Sequence, residues 1–285
     1  MILVIGASGY IGREFIEQLS INNIKYTILS HKDINKNLLL NIIKSNNIKY
    51  LINCAAFVGK PNIEACENQK DKCIEGNILL PILLKEICEI TEIIYCHIST
   101  GCLYNGKSNF EKGFSEEDQP NFNFENNNCG FYTGTKALAE KIVKTYHKSY
   151  IWRIRLPFEN IHNERNYISK ILTYDYLITE NNSLSNKKEF VNACIESILK
   201  NIPYGIYNIT NTGCISAEEV VKKIKNTINK DKKALYLSMD QFYEKISKMP
   251  RSNCVTDNSK LLSTGIHMSE IHDSIDWCLD NWRWK

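Results

Sequence analysis

The chain has 285 residues, of which 43% are hydrophobic and 24% charged, and its formal net charge is +3. That length supports one large or two moderate domains around a substantial core, and the composition is that of an ordinary globular chain. The charge is too small and too evenly spread to make nucleic acid the main partner, and no apolar run approaches the roughly 20 residues needed to cross a bilayer.

Met1 leads directly into "ILVIGASG", without a charged n-region, an h-region or a small-residue cleavage site, which predicts a cytoplasmic protein with no membrane partner. The 11 cysteines are odd in number and scattered, and no CxxC pair occurs. That pattern argues against both a disulfide framework and a zinc site, so most of these thiols are expected to be small buried hydrophobes, and no metal is expected.

"MILVIG" is the first expected strand and stops at Gly6. Gly6-Ala7-Ser8-Gly9-Tyr10-Ile11-Gly12 then opens a helix, "YIGREFIEQLS", with Ile11, Phe15 and Leu19 at helical spacing. Glycines in such a turn permit a tight bend, backbone approach to a pyrophosphate and close helix–strand packing, and the helix N-terminus favours an anion. Gly6, Gly9, Tyr10, Ile11 and Gly12 are therefore expected to hold a dinucleotide.

The second strand, "KYTILS", runs into Ser30, His31 and Lys32 before Asp33. A carboxylate first would suit a ribose 2′-hydroxyl, whereas this order better suits a 2′-phosphate, so NADPH is expected. Asp33 is the counter-evidence, since a shift of one residue would let it meet the ribose of NADH.

"KNLLLNIIKSN" reads as a helix, "KYLINCAA" as the third strand and "NILLPILLKEICEI" as a helix in which Pro81 lies near a first turn or makes a kink. "EIIYCHIS" is the fourth strand, "TKALAEKIVKTYHK" a helix and "YIWRIRL" the fifth strand. This alternation predicts an α/β protein with a Rossmann-type, doubly wound parallel sheet. After Pro157 the pattern loosens: "NYISKILTYDYLI" and "SAEEVVKKIKNTI" look helical, the second opening on a capping box at Ser216, and "GIYNIT" looks like a strand. We expect a dinucleotide-binding domain over 1–155 and a smaller mixed α+β substrate region over 156–285, with some chain crossing back to the sheet.

Tyr132 and Lys136 lie four apart at the start of a helix, on one face. A phenol with an ordinary pKa of about 10 is a poor acid at neutral pH, and an ammonium one turn away is expected to lower that value. The pair can then pass a proton to a carbonyl oxygen while a nicotinamide delivers hydride to its carbon. Thr100, at the end of the fourth strand, would hydrogen-bond the same oxygen. Cys102 lies two residues further on and has no task in a simple reductase. On a 4-keto sugar the hydrogens flanking the ketone are acidic, and a thiol could exchange them while Thr100 and Tyr132 stabilise the enolate oxygen. Position alone leaves a structural and a catalytic Cys102 equally open.

The G-x-x-G-x-x-G spacing and the order glycine turn, Thr100, Tyr132, Lys136 resemble the extended short-chain dehydrogenase/reductase superfamily. "NCAAFVGKPNIEACE", "STGCLY", "GFSEEDQPNF", "FYTGTKALAE", "RIRLP", "ERNYISKI" and "MPRSNCVTDNSKL" further resemble the bifunctional UDP-4-keto-6-deoxy-D-glucose 3,5-epimerase/4-reductases of UDP-L-rhamnose synthesis, found in plants and giant viruses. The likeness extends more distantly to dTDP-4-dehydrorhamnose reductase and GDP-fucose synthase. It implies that Cys102 and Lys170 are the two epimerase acid/bases, that Arg251 holds the substrate diphosphate and that Asn166 contacts substrate. It further implies that Asn53, Ala55 and Ala56 line the cofactor, that "EEDQPNF" flanks the site, and that the location is the host cytosol if the source is viral. Thr133-Gly134-Thr135 departs from the usual Ser/Thr-rich spacer without removing a functional group.

Three activities are compatible with these residues. The first is 3,5-epimerisation and NADPH-dependent 4-reduction of a UDP-linked keto sugar in one site. The second is 4-reduction alone, with a separate epimerase and an inert Cys102. The third is a non-catalytic, reductase-like regulatory subunit, against which the intact Thr100, Tyr132 and Lys136 count. The substrate partner is expected to be a nucleotide sugar and the assembly a homodimer.

Overall fold

All four residues of β1 (Ile2–Ile5) are buried, and they divide between two cores. Leu3 and Ile5 enter one, while Ile2 and Val4 enter the other. A strand covered on both faces belongs in the interior of a parallel sheet, and this is its place in the computed structural model, which describes residues 1–109, 111–247 and 249–284.

The further strands are β2 (Tyr26–Leu29), β3 (Tyr50–Asn53), β4 (Ile94–Thr100), β5 (Ser149–Ile154), β6 (Tyr176–Ile178), β7 (Gly205–Asn208) and β8 (Leu235–Leu237). Six of them form one sheet in the order β2-β1-β3-β4-β5-β7, and every neighbouring pair is parallel. Ile5 stands opposite both Leu29 and Asn53, so the carboxyl ends of the first three strands are level. The order reverses between β1 and β3, and in doubly wound sheets ligands bind in the crevice at such a point.

Helices Tyr10–Ile21 and Lys187–Leu199 cover one face, contributing Phe15, Leu19, Phe190, Val191 and Ile198 to its core. Helices Lys36–Ser45, Leu80–Thr91 and Phe131–Val143 cover the other through Leu39, Ile43, Leu84, Ile87 and Val143. Each such side chain taken fully from water is worth about 1.5–3 kcal/mol. A third cluster, including Phe158, Ile168, Leu177, Ile215, Val220 and Ile275, organises the chain after β5.

The five expected strands and the helices between them are all present. Pro81 sits in the first turn of Leu80–Thr91, directly after a π-helical stretch at Glu75–Leu79. The return to the sheet is made by β7, "GIYN", and by helix Lys187–Leu199. One segment differs. "NYISKILTYDYLI" is helical only over Tyr167–Thr173; Tyr174 turns extended (φ −82°, ψ 134°) and β6 follows. Parallel pairing of β6 with β8 overrides the helical period there. Of the 11 cysteines, Cys66, Cys73, Cys88, Cys96, Cys194, Cys254 and Cys278 are buried, as expected of small hydrophobes.

A buried ion pair locks the active face to the sheet. Arg153 on β5 donates to Glu140 on helix Phe131–Val143, Nη2 to Oε1 at 2.5 Å and Nε to both oxygens at 3.2 Å. Ser99 Oγ donates to the same carboxylate at 2.5 Å, and Arg153 Nη1 donates to Tyr104 Oη at 2.8 Å. Glu140→Ala would leave the guanidinium buried and unpaired. We expect it to lower stability by about 3–5 kcal/mol, read from urea denaturation.

Candidate active site

Gly6, Ser30, Cys54, Gly101 and Arg155 each follow a strand's last residue, so the expected site residues meet along one edge of the sheet. Gly6 has φ +79°, and a Cβ on it would lie 2.5 Å from Ala55 N. A Cβ on Gly12 would lie 2.1 Å from Gly6 O. These two glycines let the turn close on β3 and on its own helix. Ser8 and Gly9 are exposed at the start of the 12-residue helix Tyr10–Ile21, whose first N–H groups have no intrahelical acceptor. A dinucleotide pyrophosphate fits such a cradle.

The remaining cofactor candidates separate by environment. Ser30, His31 and Lys32 are exposed at the end of β2, and Ser30 Oγ accepts from Lys32 N at 3.3 Å. Asp33 is exposed on the same short turn. Ala55 packs under Gly6, and Ala56 is exposed. Ile11 packs against the first core. The Tyr10 ring lies 4.9 Å from Lys187 Nζ, which bridges Glu14 at 3.1 Å and Glu159 at 2.6 Å. Asn53, expected to line the cofactor, is buried with its amide bonded within the chain. Its Oδ1 accepts from Ala55 N at 3.0 Å and its Nδ2 donates to Tyr95 Oη at 3.2 Å, so it shapes the β3 turn.

At the end of β4, Thr100 Oγ1 accepts the N–H of Cys102 at 3.1 Å. That bond uses a lone pair and leaves the hydroxyl proton for another acceptor. Lys136 is buried, and its Nζ donates to Ile98 O at 2.8 Å and faces His97 Nε2 at 3.4 Å. An ammonium has no lone pair, so His97 is the acceptor. Burial holds His97 neutral, well below its ordinary pKa, and the Lys136 charge acts in the same direction. Burial likewise lowers Lys136 to about 8, against the raising effect of Glu140.

For Tyr132 the expected lowering is corrected. Burial raises its phenol above the ordinary value, the charges of Cys102, Cys66 and Cys73 raise it further, and Arg165 acts in the opposite direction. In this site Tyr132 is a protonated acid. The departure at Gly134 also has a reason: a Cβ there would lie 2.1 Å from Phe124, whose ring packs on the helix.

Cys102 is partly exposed, and its Sγ accepts from Arg155 Nη1 at 3.0 Å. It lies close enough to Tyr132 and Lys170 for its charge to act on both. Burial lowers Lys170, Arg165 and Arg251 lower it further, and Cys102 pulls it upward. Lys170 stands on helix Tyr167–Thr173, which Asn166 caps. Asn166, expected to contact substrate, is buried. Its Oδ1 accepts from Ile168 N at 3.0 Å and its Nδ2 donates to Glu159 O and Ile161 O, both at 2.8 Å. With its polar atoms bonded to backbone, it fixes the start of the helix that carries Lys170.

Arg251 pairs with Glu64, and Tyr243 Oη accepts from Arg251 N at 2.9 Å. Tyr243 also lines a cavity of about 520 Å³ with Asn105, Phe122, Asn128 and Pro250. Phe122, from the "EEDQPNF" loop, is part of that cavity's lining.

Two contributors escape sequence reasoning. Arg155 is buried beside Cys102. Asn77, in the π-helical stretch, accepts from Phe57 N at 2.8 Å and donates to Phe57 O at 2.9 Å and Thr135 Oγ1 at 3.2 Å. It ties the loop after β3 to the helix that carries Tyr132 and Lys136. The "RIRL" alternation was the available signal for Arg155; nothing local signals Asn77.

A family model described as the RmlD substrate binding domain matches residues 1–283. The chain is 29% identical over 278 residues to the Arabidopsis thaliana trifunctional UDP-glucose 4,6-dehydratase/UDP-4-keto-6-deoxy-D-glucose 3,5-epimerase/UDP-4-keto-L-rhamnose-reductase, covering 96% of this chain but only 40% of that protein. It is also 29% identical to the bifunctional dTDP-4-dehydrorhamnose 3,5-epimerase/dTDP-4-dehydrorhamnose reductase of A. thaliana, covering 96% and 90% of the two chains. Among solved structures, a UDP-rhamnose synthase from Acanthamoeba polyphaga mimivirus superposes with a TM-score of 0.89 at 23% identity, covering 98% of each chain. A dTDP-4-dehydrorhamnose reductase from Clostridium acetobutylicum superposes with a TM-score of 0.80 at 22% identity and the same coverage.

Proposed function

The chain belongs to the RmlD substrate binding domain family, and on that footing we propose that it inverts the two carbons flanking the ketone of a UDP-linked 4-keto-6-deoxy-glucose and then reduces the ketone with NADPH. The observation that supports this reading is Cys102: its backbone N–H is bonded to Thr100 Oγ1, and its sulfur stands within electrostatic reach of both Tyr132 and Lys170. A reductase needs the first three residues. Only proton exchange at carbon needs the sulfur.

NADPH would lie across the glycine turn, with its 2′-phosphate toward Ser30, His31 and Lys32, and when bound its nicotinamide supplies hydride. Thr100 and Tyr132 donate to the ketone oxygen and stabilise the negative charge that enolisation or reduction puts there. Cys102 and Lys170 exchange protons at the flanking carbons, each on its own face of the ring. Tyr132 delivers the proton that completes reduction, and Lys136 supplies the nearby positive charge that favours its loss. Arg251 and Arg165 face the diphosphate, a task suited to planar guanidiniums. The cavity beside Tyr243 would take the nucleoside end.

The test supplies purified protein and NADPH with UDP- and dTDP-linked 4-keto-6-deoxy-glucose in parallel, and identifies products by NMR. A rhamnosyl product from the UDP sugar without added epimerase is expected. Reduction only of pre-epimerised sugar would favour the 4-reductase alone.

The pH dependence has a defined sign. Lys136 is cationic below about 8 and neutral above it, so kcat/KM for reduction is expected to fall as pH rises through that value. Tyr132, pushed upward, does not titrate in this range. Lys136→Arg should move the alkaline limb to higher pH, which pH–rate profiles of the two proteins would read directly.

A further inference from the structure

Arg155 lies just past β5 with 1% of its surface exposed. Its guanidinium donates to Cys102 Sγ at 3.0 Å, Ser252 Oγ at 3.0 Å, Asn182 Oδ1 at 2.5 Å and Ser252 O at 2.9 Å. None of these acceptors is a carboxylate, and among the described residues Arg155 forms no ion pair with one. Arg153, two residues earlier on the same face of the strand, has Glu140. A buried cation without a counter-ion costs several kcal/mol, and an arginine cannot escape that cost by losing its proton. A neighbour able to become an anion would offset that cost.

Two thiols lie within reach. Cys254 is buried, directs its S–H at Gly101 O across 3.4 Å, and is raised by burial, so it remains a thiol. Cys102 is partly exposed toward the site and accepts the guanidinium N–H directly. Gly101 makes the contact possible, since a Cβ there would lie 3.0 Å from Arg155 Cδ. The other titratable groups facing the pair are Tyr132, Tyr167 and Lys170. Tyr132 and Tyr167 are held protonated by burial, and burial lowers Lys170 while the Cys102 charge pulls it upward.

Resting on the two-function reading above, we propose that Arg155 is a positioning residue that holds Cys102 as a thiolate and thereby sets the direction of proton flow: sulfur accepts the proton from carbon and Lys170 donates one to the opposite face. As the S–H bond forms, the C–H electron pair passes into the enolate. The enolate pair then takes a proton from the Lys170 ammonium, forming the new C–H bond with inverted configuration. Sulfur has gained one proton and nitrogen has lost one. Exchange with water restores both, and no oxidant or reductant is involved. The thiolate also keeps Lys170 charged against Arg165 and Arg251.

The test follows alkylation of Cys102 by iodoacetamide, read by peptide mass spectrometry, between pH 6 and 9 in the NADPH-loaded protein. The wild-type rate should be nearly flat above about pH 7, as for a preformed thiolate. In Arg155→Gln it should fall about tenfold at pH 7 and climb with pH. A wild-type rate that climbs steadily to pH 9 would overturn the proposal, as would an unchanged profile in an Arg155→Gln protein that still binds NADPH. Should Arg155→Gln not fold, the wild-type profile and Arg155→Lys decide, the latter expected to retain most of the flat profile. Deuterium uptake at the two flanking carbons is measured separately. Its absence beside a flat alkylation profile would reject the two-function reading while leaving the thiolate assignment standing.

Discussion

Tyr132→Phe is expected to slow reduction of the 4-keto sugar by about 10²–10⁴-fold in kcat, the usual contribution of a positioned general acid. Burial retains the proton on this phenol, so the residue enters the reaction already loaded as an acid. Charge developing on the ketone oxygen makes that proton easier to lose, and Lys136 stabilises what is left behind. Lys136 is itself fixed from two directions, by Ile98 O and by a neutral His97. Removing the phenol oxygen leaves Thr100 as a donor to the ketone but takes away the proton source. NADPH affinity should change little, because the glycine turn and the Ser30–Lys32 rim are untouched. Single-turnover oxidation of NADPH with pre-epimerised substrate is the measurement. A loss of less than about tenfold would reject Tyr132 as the acid.

The parts of this molecule that were legible in the sequence are those whose physics is local. Gly6, Gly9 and Gly12 mark a turn because a side chain at Gly6 or Gly12 would strike backbone. Tyr132 and Lys136 share a face because a helix repeats every 3.6 residues. β1, β3, β4 and β5 show as apolar runs because both their faces are largely covered, whereas β2, at the sheet edge, is only partly buried. What was missed depends on contacts distant in sequence. Arg155 sits 53 residues from the sulfur it touches, and within "RIRL" an arginine looks like the solvated half of an alternating strand. For Asn166 and Asn53 the resemblance implies ligand contacts, while the bonds that turn their amides to backbone or buried side chains leave no local mark in the sequence. β6 was hidden because "TYDYLI" continues the apolar period of the preceding helix, and only its partner β8, some 60 residues away, makes it a strand. The shift expected for Tyr132 had the wrong sign for a related reason. Spacing reveals the lysine one turn away, but neither the burial nor the thiols around the phenol.

Cys102→Ser is expected to reduce deuterium uptake at C3 and C5 by about 10²-fold or more, while reduction of pre-epimerised sugar continues at close to the wild-type rate. Serine suits the experiment better than alanine. Its oxygen can still accept from the buried Arg155, so the guanidinium loses its counter-charge but keeps its hydrogen bond, and the fold loses less than with alanine. The hydroxyl cannot carry a negative charge near neutral pH, however, so the proton acceptor is lost while the shape is retained. Thr100, Tyr132 and Lys136, which reduction requires, are all retained, as is the backbone N–H of residue 102 that Thr100 accepts. NMR of the substrate in deuterated water, without NADPH, isolates the exchange step, and NADPH consumption with pre-epimerised sugar isolates the other. If both rates fell together, the sulfur would be serving the structure of the whole site. If neither fell, the exchange would have to be assigned to Lys170 alone, which stands on one face of the ring and has no partner on the other to complete an inversion.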